Sequence, residues 1–376
     1  MNNTYPLLRA LPLLALIFIG GVCKPTLFAG DPRIEDIKLP PGFHISIYAE
    51  NVTNARGMSL GPDGTVYVGS RGEGSVYALQ DLDGNGTAET KHTIATGLNM
   101  PVGLAWHQGD LYISSVDRIV KLPNIAEHLT DPPAPVTIYD KYPSEKHHGW
   151  KYIAFGPDGK LYVPVGAPCN ICLSEDSIFA TITRLNADGT NMEIIAHGVR
   201  NSVGFDWNPR DSSLWFTDNG RDMMGDDQPD DELNRLSFVG EHFGYPFCHQ
   251  GDILDPKFGK DMDCGDYTAP KARLGPHVAA LGMKFYKGNM FPEKYRGAIF
   301  IAEHGSWNRT KPIGYRLSVA WPQEDGTART EIFAEGWLQG NSAWGRPVDV
   351  LELPDGSLLL SDDSADLIYR ITYKEQ

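Results

Sequence analysis

A pattern of two apolar strands separated by a polar turn recurs along the chain. Each copy runs from one short apolar stretch through a turn built on Gly, Pro or Asp into a second apolar stretch, and no long segment shows helical periodicity. The six copies span residues 58–69, 102–114, 153–165, 203–217, 282–302 and 348–361. Most lie about fifty residues apart, a spacing typical of β-propeller blades. The pattern therefore predicts an all-β, six-bladed β-propeller.

Weaker apolar stretches supply the outer strands of these blades. They lie at 75–79, 119–122, 233–236 and 315–320, so we expect four-stranded antiparallel blades. A strand at 44–49 precedes the first copy, and a strand at 367–372 follows the last. Pairing of these two strands would close the ring and remove both free sheet edges. We expect one domain over 31–376, with loop insertions at about 218–281 that build a site on one face.

Composition agrees with a turn-rich globular protein. The 376 residues are 41% hydrophobic and include 40 Gly and 27 Pro. The formal net charge of −15 argues against a nucleic-acid-binding protein, because no basic footprint offsets the acidic residues.

The N-terminus has the features of an export signal. Arg9 precedes an apolar run at 10–22, and the small residues Ala29 and Gly30 follow. The run is too short for a stable membrane span. We expect a signal peptide over 1–30 and a periplasmic or secreted protein. Cys23 offers lipoprotein anchoring as an alternative, although Gly-Gly-Val before it is a poor match to a lipidation site.

Export implies an oxidising compartment in which cysteines pair. Four cysteines remain after the signal: Cys169, Cys172, Cys248 and Cys264. They allow three connectivities, of which the local pairs Cys169–Cys172 and Cys248–Cys264 are our first choice. A redox or zinc role for the CxxC is disfavoured because the chain has no second CxxC.

Two acidic segments are candidate calcium sites. In the first, the oxygen donors Asp81, Asp83, Asn85, Thr87 and Glu89 alternate along a short loop, as in calcium loops, and the alternative is an Asx-rich turn without metal. The second is the acid-rich segment 218–232. We expect its backbone at Asn219-Gly220 to face the end of the channel, and the alternative is a solvated acidic loop.

Several polar residues precede or follow equivalent strands in different blades. His148, the pair Arg200-Asn201 and Arg346 stand before the first strands of the third, fourth and sixth copies, and His304 follows the second strand of the fifth. We expect them to converge near the propeller axis as a site for an anionic or carbonyl-bearing ligand. Four tryptophans lie near these loops in sequence and could stack on a planar ligand: Trp150, Trp307, Trp337 and Trp344.

At these residues the chain resembles the glucose/sorbosone dehydrogenase family. The resemblance extends from the Leu-Pro-Pro-Gly-Phe sequence at 39–43 to the last blade. Its most specific parts are His148 with the following Gly-Pro-Asp-Gly strand pair, Arg200-Asn201, and the loop that ends Asp-Glu-Leu-Asn at 231–234. The segments 166–172 and 303–309 are most similar to the sorbosone dehydrogenase branch.

The resemblance implies an exported dehydrogenase that uses pyrroloquinoline quinone (PQQ) and calcium to oxidise an aldose or sugar aldehyde. It implies that His148 is the general base and that Arg200 polarises the quinone carbonyl. Asn201, His304, Trp307 and Arg346 are then the candidate cofactor-binding residues. Gly220 and Arg221 correspond to positions whose backbone carbonyls hold the cofactor's calcium, and we add the neighbouring Asp231 and Glu232 as candidate ligands. Electrons would leave to a cytochrome or a quinone.

The chain also departs from the family pattern. Val348 stands where the family has a second arginine, His304 stands where a lysine binds the cofactor, and a glutamine expected before the second copy falls near Met100. Two other functions therefore remain open at this stage: a calcium-dependent lactonase-type hydrolase, and a sugar- or ligand-binding propeller without catalysis.

Overall fold

The computed structural model describes residue 1 and residues 33–375. The predicted signal peptide and Cys23 lie outside these residues, apart from Met1. Within the described part of the chain, no helix is long and apolar enough to cross a membrane.

Six β-sheets form the blades, and each predicted repeat supplies the first two strands of one sheet. The first three blades comprise Ala55–Leu60, Val66–Ser70, Val76–Gln80 and Thr90–Ala95; Leu104–His107, Asp110–Ser114, Ile119–Leu122 and Val136–Tyr139; and Ala154–Phe155, Leu161–Val165, Thr181–Leu185 and Glu193–His197. The last three comprise Phe205–Trp207, Leu214–Asp218, Asp230–Arg235 and Ala272–Pro276; Ala280–Phe285, Ile299–Glu303, Arg316–Pro322 and Ala328–Glu335; and Pro347–Glu352, Leu358–Asp362, Leu367–Tyr373 and Phe43–Ala49. The six-bladed propeller is confirmed.

The N-terminal strand closes the ring. Phe43–Ala49 pairs antiparallel with Leu367–Tyr373, beginning with Phe43 opposite Tyr373, and forms the outer strand of blade six. The last blade is therefore built from both ends of the propeller, as the sequence predicts.

One blade departs from four strands. Glu241–His242, from the long connection between the last two strands of blade four, adds a fifth and parallel strand to blade three. The same connection carries the hairpin of Cys248–His249 and Ile253–Leu254. A second small hairpin joins Leu338–Gln339 to Ser342–Ala343. The short 3-10 helices are Ile34–Asp36, Ile125–Glu127, Cys264–Asp266 and Glu293–Tyr295.

Glycines recur where the first strands crowd around the axis. A Cβ atom at Gly103 would lie 2.2 Å from the carbonyl oxygen of Lys151 in the next blade. A Cβ atom at Gly204 would lie 2.2 Å from the carbonyl oxygen of Leu281. Because backbone approaches backbone at these positions, a side chain has no room, which explains the glycines in several repeats.

The apolar core lies between neighbouring blades. In the cluster between blades five and six, the Phe43 ring centroid lies 4.8 Å from that of Phe291 and 4.9 Å from that of Phe333. Trp337 is fully buried in this same cluster. The Trp337 ring is therefore packed in the core and is not available to stack on a ligand.

Phe43→Ala should destabilise the protein strongly, since Phe43 belongs to the ring-closing strand and is only 7% exposed. We expect the free energy of unfolding to fall by about 3–5 kcal/mol, as for other buried phenylalanines. Equilibrium unfolding in urea measures the change. The matched control is Phe238→Ala, which removes a ring that is 66% exposed and should cost less than about 0.5 kcal/mol. Equal losses in both variants would contradict this account of ring closure.

Candidate active site

A cavity of about 700 Å³ lies where loops of all six blades converge, and we call it the central cavity. The first strands of the blades run in the same direction, so the loops before them meet at one end of the channel. Eight of the predicted site residues line the cavity: His148, Arg200, Asn201, Gly220, Asp231, His304, Trp307 and Arg346. The structure thus brings together residues that lie about two hundred positions apart.

The orientation of the His148 ring defines its tautomer. Nδ1 lies 2.9 Å from the carbonyl oxygen of Ala167, which can only accept a hydrogen bond, so Nδ1 carries the proton. Nε2 is then left with its lone pair. Burial, together with the nearby charges of Arg200 and His147, holds the pKa of His148 well below its usual range. His148 is therefore a neutral imidazole at pH 7 that can accept a proton at Nε2.

The backbone of His148 is also unusual. Its φ angle is 50°, in the left-handed region that non-glycine residues rarely adopt. Strain of this kind persists only where the surrounding structure enforces it, and it is concentrated at functional sites.

Arg200 is held by a dense set of hydrogen bonds. Nε donates to the Asn170 carbonyl at 2.9 Å, and Nη2 donates to Asn170 Oδ1 at 2.9 Å and to Asp222 Oδ2 at 3.1 Å. Nη1 donates to the Asn219 carbonyl at 3.1 Å. Four of the five guanidinium N–H groups are thereby used, which leaves one on Nη1 for a ligand.

Two buried carboxylates brace the loops around Arg200. Asp218 accepts the backbone N–H groups of Arg200 and Asn201, at 2.8 and 2.6 Å. Asp231 accepts the backbone N–H groups of Gly220 and Ala280, both at 2.9 Å. Burial raises the pKa of Asp218 to about 6 and that of Asp231 to about 7, although these hydrogen bonds oppose the shift.

Arg56, His304 and Arg346 line another part of the cavity around the buried carboxylate of Asp363, and we call this group the cationic wall. Asp363 hydrogen-bonds His304 Nε2 at 3.0 Å, lies 3.0 Å from Arg346 Nε and forms an ion pair with Arg56. Burial alone would raise the pKa of Asp363, but the His304 hydrogen bond and the Arg56 charge outweigh it and hold the pKa below its usual range. Burial also lowers the pKa of His304 to about 4, so His304 is neutral at pH 7. The arginines carry the positive charge of this wall.

The sequence interpretation missed two arginines of blade one. Arg56 is the second residue of strand Ala55–Leu60, and Arg71 directly follows strand Val66–Ser70. Arg71 holds the position that His304 occupies in blade five, so applying the same rule to blade one would have found it, whereas Arg56 lies inside a strand and that rule does not point to it. Other lining residues that were missed are Lys146, Asp222, His277 and Asn308, and His147 was noted only as a neighbour of His148. Val348 is buried and uncharged, and Arg56 and Arg71 add positive charge to the cavity lining.

Trp150 and Trp307 are the tryptophans that border the cavity. The guanidinium of Arg71 lies 4.1 Å from the centre of the Trp150 ring, and His148 meets the same ring edge-on. Trp307 is 71% exposed. Trp344 is half-buried, bonds the Gly336 carbonyl through Nε1, and does not line the cavity.

The metal ligands predicted from the segment 218–232 lie in three places. Gly220 and Asp231 line the central cavity. The Arg221 side chain forms an ion pair with Asp255, and the calcium ligand predicted at this position is the backbone carbonyl. Glu232 is buried against a small separate cavity, where it accepts the Gln250 backbone N–H at 2.7 Å. The side chains of Arg221 and Glu232 are therefore directed into structural contacts.

The loop with Asp81, Asp83, Asn85, Thr87 and Glu89 joins the two outer strands of blade one and does not line the cavity. Ligand oxygens of Asp81, Asp83 and Glu89 lie within 4.8 Å of one another. They also accept backbone N–H groups of their own loop, for example Gly86 to Asp81 at 2.8 Å. Calcium binding there stays a prediction.

Both local disulfides are present, Cys169–Cys172 and Cys248–Cys264. This confirms the preferred pairing. The first lies in the loop that contacts His148 and Arg200, and the second ties down the long connection of blade four.

Comparisons with known proteins agree with this fold. The glucose/sorbosone dehydrogenase family model matches residues 126–368. A protein of Borreliella burgdorferi described as uncharacterized is 34% identical over 100% of this chain and 98% of its own length. The PQQ-dependent pyranose dehydrogenase of Coprinopsis cinerea is 24% identical over 91% of this chain, and the match spans 55% of that enzyme.

The PQQ domain of the C. cinerea pyranose dehydrogenase, solved in its holo form, superposes with a TM-score of 0.76 at 20% identity. The superposition covers 89% of this chain and 97% of that domain, and it shows the shared propeller fold. The family match over most of the propeller and the full-length relative lead to one conclusion: the chain belongs to the glucose/sorbosone dehydrogenase family.

Proposed function

We propose that this protein is an exported, PQQ- and calcium-dependent dehydrogenase that oxidises an aldose or a sugar aldehyde such as sorbosone to the lactone or acid. The observation that carries the proposal is the pairing, in one cavity, of a neutral Nδ1-protonated histidine with arginines from three blades. A cytochrome or a quinone would take the electrons.

The residues of the cavity fit PQQ, a planar quinone with three carboxylates. Arg56, Arg71, Arg200 and Arg346 all line the cavity and match a polyanion. Arg56 Nε is buried and hydrogen-bonds no atom of the described residues, and the same holds for Asn308 Oδ1. The site therefore has one hydrogen-bond donor and one acceptor that no described residue satisfies.

The residues also fit one calcium ion. Asp231 and Asp222 are the carboxylates that line the cavity within the described chain, and Gly220 offers a backbone carbonyl beside them. A cation would lower the cost of keeping the buried Asp231 ionised. When bound, PQQ would supply a two-electron acceptor, and calcium would polarise it.

The chain's own residues would divide the remaining work. His148 takes the proton from the substrate hydroxyl at Nε2. Arg200 holds negative charge with its free Nη1–H, in a geometry set before substrate binds. Trp150 and Trp307 offer flat faces to a sugar ring.

The lactonase alternative is less well supported by the donor set. A hydrolytic calcium site needs several protein oxygens on one ion. Within the described chain, Asp222 and Asp231 are the carboxylates that line the cavity, which is fewer charged oxygens than such a site needs unless a bound cofactor adds its own. The cavity has more arginines than carboxylates, as expected for an anionic cofactor.

Purified protein should bind PQQ in a calcium-dependent manner and then reduce a dye with one or more aldoses. An absorbance titration with PQQ, with calcium or with a chelator, measures binding, and a panel of aldoses and sugar aldehydes measures turnover. Absence of both binding and dye reduction would overturn the proposal. Lactone hydrolysis with calcium alone would identify the protein as a lactonase.

Arg71→Gln should weaken PQQ binding by about 10- to 100-fold, the cost of one charged hydrogen bond. Arg71 forms no ion pair with a carboxylate in the described residues, so the substitution leaves no buried charge unpaired. The control is Arg210→Gln, an exposed arginine outside the central cavity, whose affinity for PQQ should match the wild type. Equal affinity in the two variants would argue against cofactor contact by Arg71.

His148→Ala should lower kcat by at least about 100-fold, because the proton acceptor is lost. PQQ affinity should stay within about threefold of the wild type, since arginines provide most of the charge. His128→Ala, at an exposed histidine, is the matched control for stopped-flow and steady-state rates. If His148→Ala retains turnover, the base is another group.

The pH dependence follows from the lowered pKa of His148. Protonation inactivates the base, so kcat/KM should be level at pH 7 and should fall only as the pH drops clearly below 6.5. NMR titration of the imidazole, identified by its loss in His148→Ala, provides the pKa directly in protein without cofactor. A pKa at or above 6.5 would contradict the burial and charge argument.

A further inference from the structure

The loop 166–172 contacts both the predicted base and the predicted cation. It follows strand Leu161–Val165 of blade three. The Ala167 carbonyl accepts the His148 Nδ1–H, and the Ala167 N–H donates to the Arg200 carbonyl at 2.8 Å. One short segment therefore fixes the histidine tautomer and the backbone of the arginine.

Within this loop, Asn170 makes the hydrogen bonds to the Arg200 guanidinium. Its carbonyl accepts from Arg200 Nε, and its Oδ1 accepts from both Arg200 Nη2 and the Asp222 N–H, the latter at 2.8 Å. Its Nδ2 donates back to the Asp222 carbonyl at 3.0 Å. Because Nε and Nη2 of Arg200 both donate to Asn170, the guanidinium plane has little freedom to rotate.

A disulfide closes the turn around Asn170. Cys169 and Cys172 flank Asn170 and Ile171. The Tyr245 hydroxyl accepts the Cys172 N–H at 3.0 Å and lies 3.5 Å from Cys169 Sγ. The loop is thereby tied both to itself and to the long connection of blade four. Asn170 does not line the central cavity, so it can act only through Arg200 and Asp222.

We propose that Asn170, held in its disulfide-closed turn, is the positioning residue that aligns the Arg200 guanidinium with His148. In this arrangement the loop 166–172 sets the distance and angle between proton acceptor and cation before any ligand enters. The proposal rests on the proposed dehydrogenase function for its catalytic consequence, while the alignment itself is a property of the protein alone.

The first test needs no cofactor. Protein labelled with ¹⁵N-arginine, with the Arg200 signals assigned by their loss in Arg200→Lys, reports rotation of the Arg200 Nη groups and exchange of its N–H protons. Wild-type Arg200 should give separate, slowly exchanging Nη signals. Asn170→Ala should merge them and speed exchange at least about tenfold, because hydrogen-bonded groups rotate and exchange slowly. Unchanged Arg200 signals in Asn170→Ala would overturn the proposal.

The second test uses the PQQ- and calcium-loaded protein. Asn170→Ala should lower kcat about tenfold or more, with the sugar KM and the melting temperature nearly unchanged, since misplacing a preorganised charge costs rate before binding. Asn170→Asp keeps the acceptor oxygen for Arg200 but loses the Nδ2 donor to the Asp222 carbonyl, so kcat should recover to at least about threefold above that of Asn170→Ala without reaching the wild type. A fall in kcat that tracks the melting temperature, or no recovery in Asn170→Asp, would indicate a merely structural role and overturn the proposal.

A pair of cysteine variants separates positioning from general stability. Cys169→Ser/Cys172→Ser should reproduce the Arg200 signals and the kcat of Asn170→Ala. Cys248→Ser/Cys264→Ser removes a disulfide with a sequence separation of 16 and should lower the melting temperature more, because longer closed loops constrain the unfolded chain more. It should leave the Arg200 signals unchanged. Arg200 signals that change in Cys248→Ser/Cys264→Ser but not in Cys169→Ser/Cys172→Ser would overturn the proposal.

The two proposals can fail separately. If the wild type neither binds PQQ nor reduces dye, the dehydrogenase function fails while the Arg200 spectra still decide the positioning role. If the wild type is active and the Arg200 spectra of Asn170→Ala match the wild type, only the positioning role fails.

Discussion

The structure depends on the closure of the ring by its two ends. Pairing of Phe43–Ala49 with Leu367–Tyr373 joins the start of the propeller to its last blade and leaves no free sheet edge at the junction. The Phe43 ring then locks into the aromatic cluster between blades five and six. Without this closure the loops of blades one and six would not face those of blades three and four, and the cavity would not form.

Closure also brings charged side chains of both signs close together in a partly buried cavity, where an unpaired charge costs free energy. The protein resolves this by hydrogen-bonding each buried carboxylate to backbone N–H groups or to cations. Asp218 and Asp231 hold loop backbones, whereas Asp363 holds Arg56, His304 and Arg346. The arginines are thereby fixed without losing their charge, which is the preorganisation that stabilising an anion requires.

The disulfide turn adds a covalent element to this electrostatic arrangement. Hydrogen bonds orient His148 through Ala167 and Arg200 through Asn170, and the Cys169–Cys172 bond closes the turn that carries Asn170. A site built on loops is usually less rigid than one built on strands. Here the loop is braced by a disulfide, a tyrosine hydroxyl and backbone hydrogen bonds, so the side chains of His148 and Arg200 are held rigidly relative to the blades.

The sequence by itself determined the propeller, the ring closure and the local disulfides. These follow from short-range physics: strand periodicity, turn residues and cysteines close along the chain. It also identified His148, Arg200 and Arg346, because repeat position predicts convergence at the axis. Only the tertiary structure decided which side chains enter the cavity. Arg56 lines the cavity because closure brings blade one beside blade six, whereas the Trp337 ring packs in the core and the Arg221 side chain pairs with Asp255. The direction of a side chain is set by packing between distant segments, which no local pattern encodes.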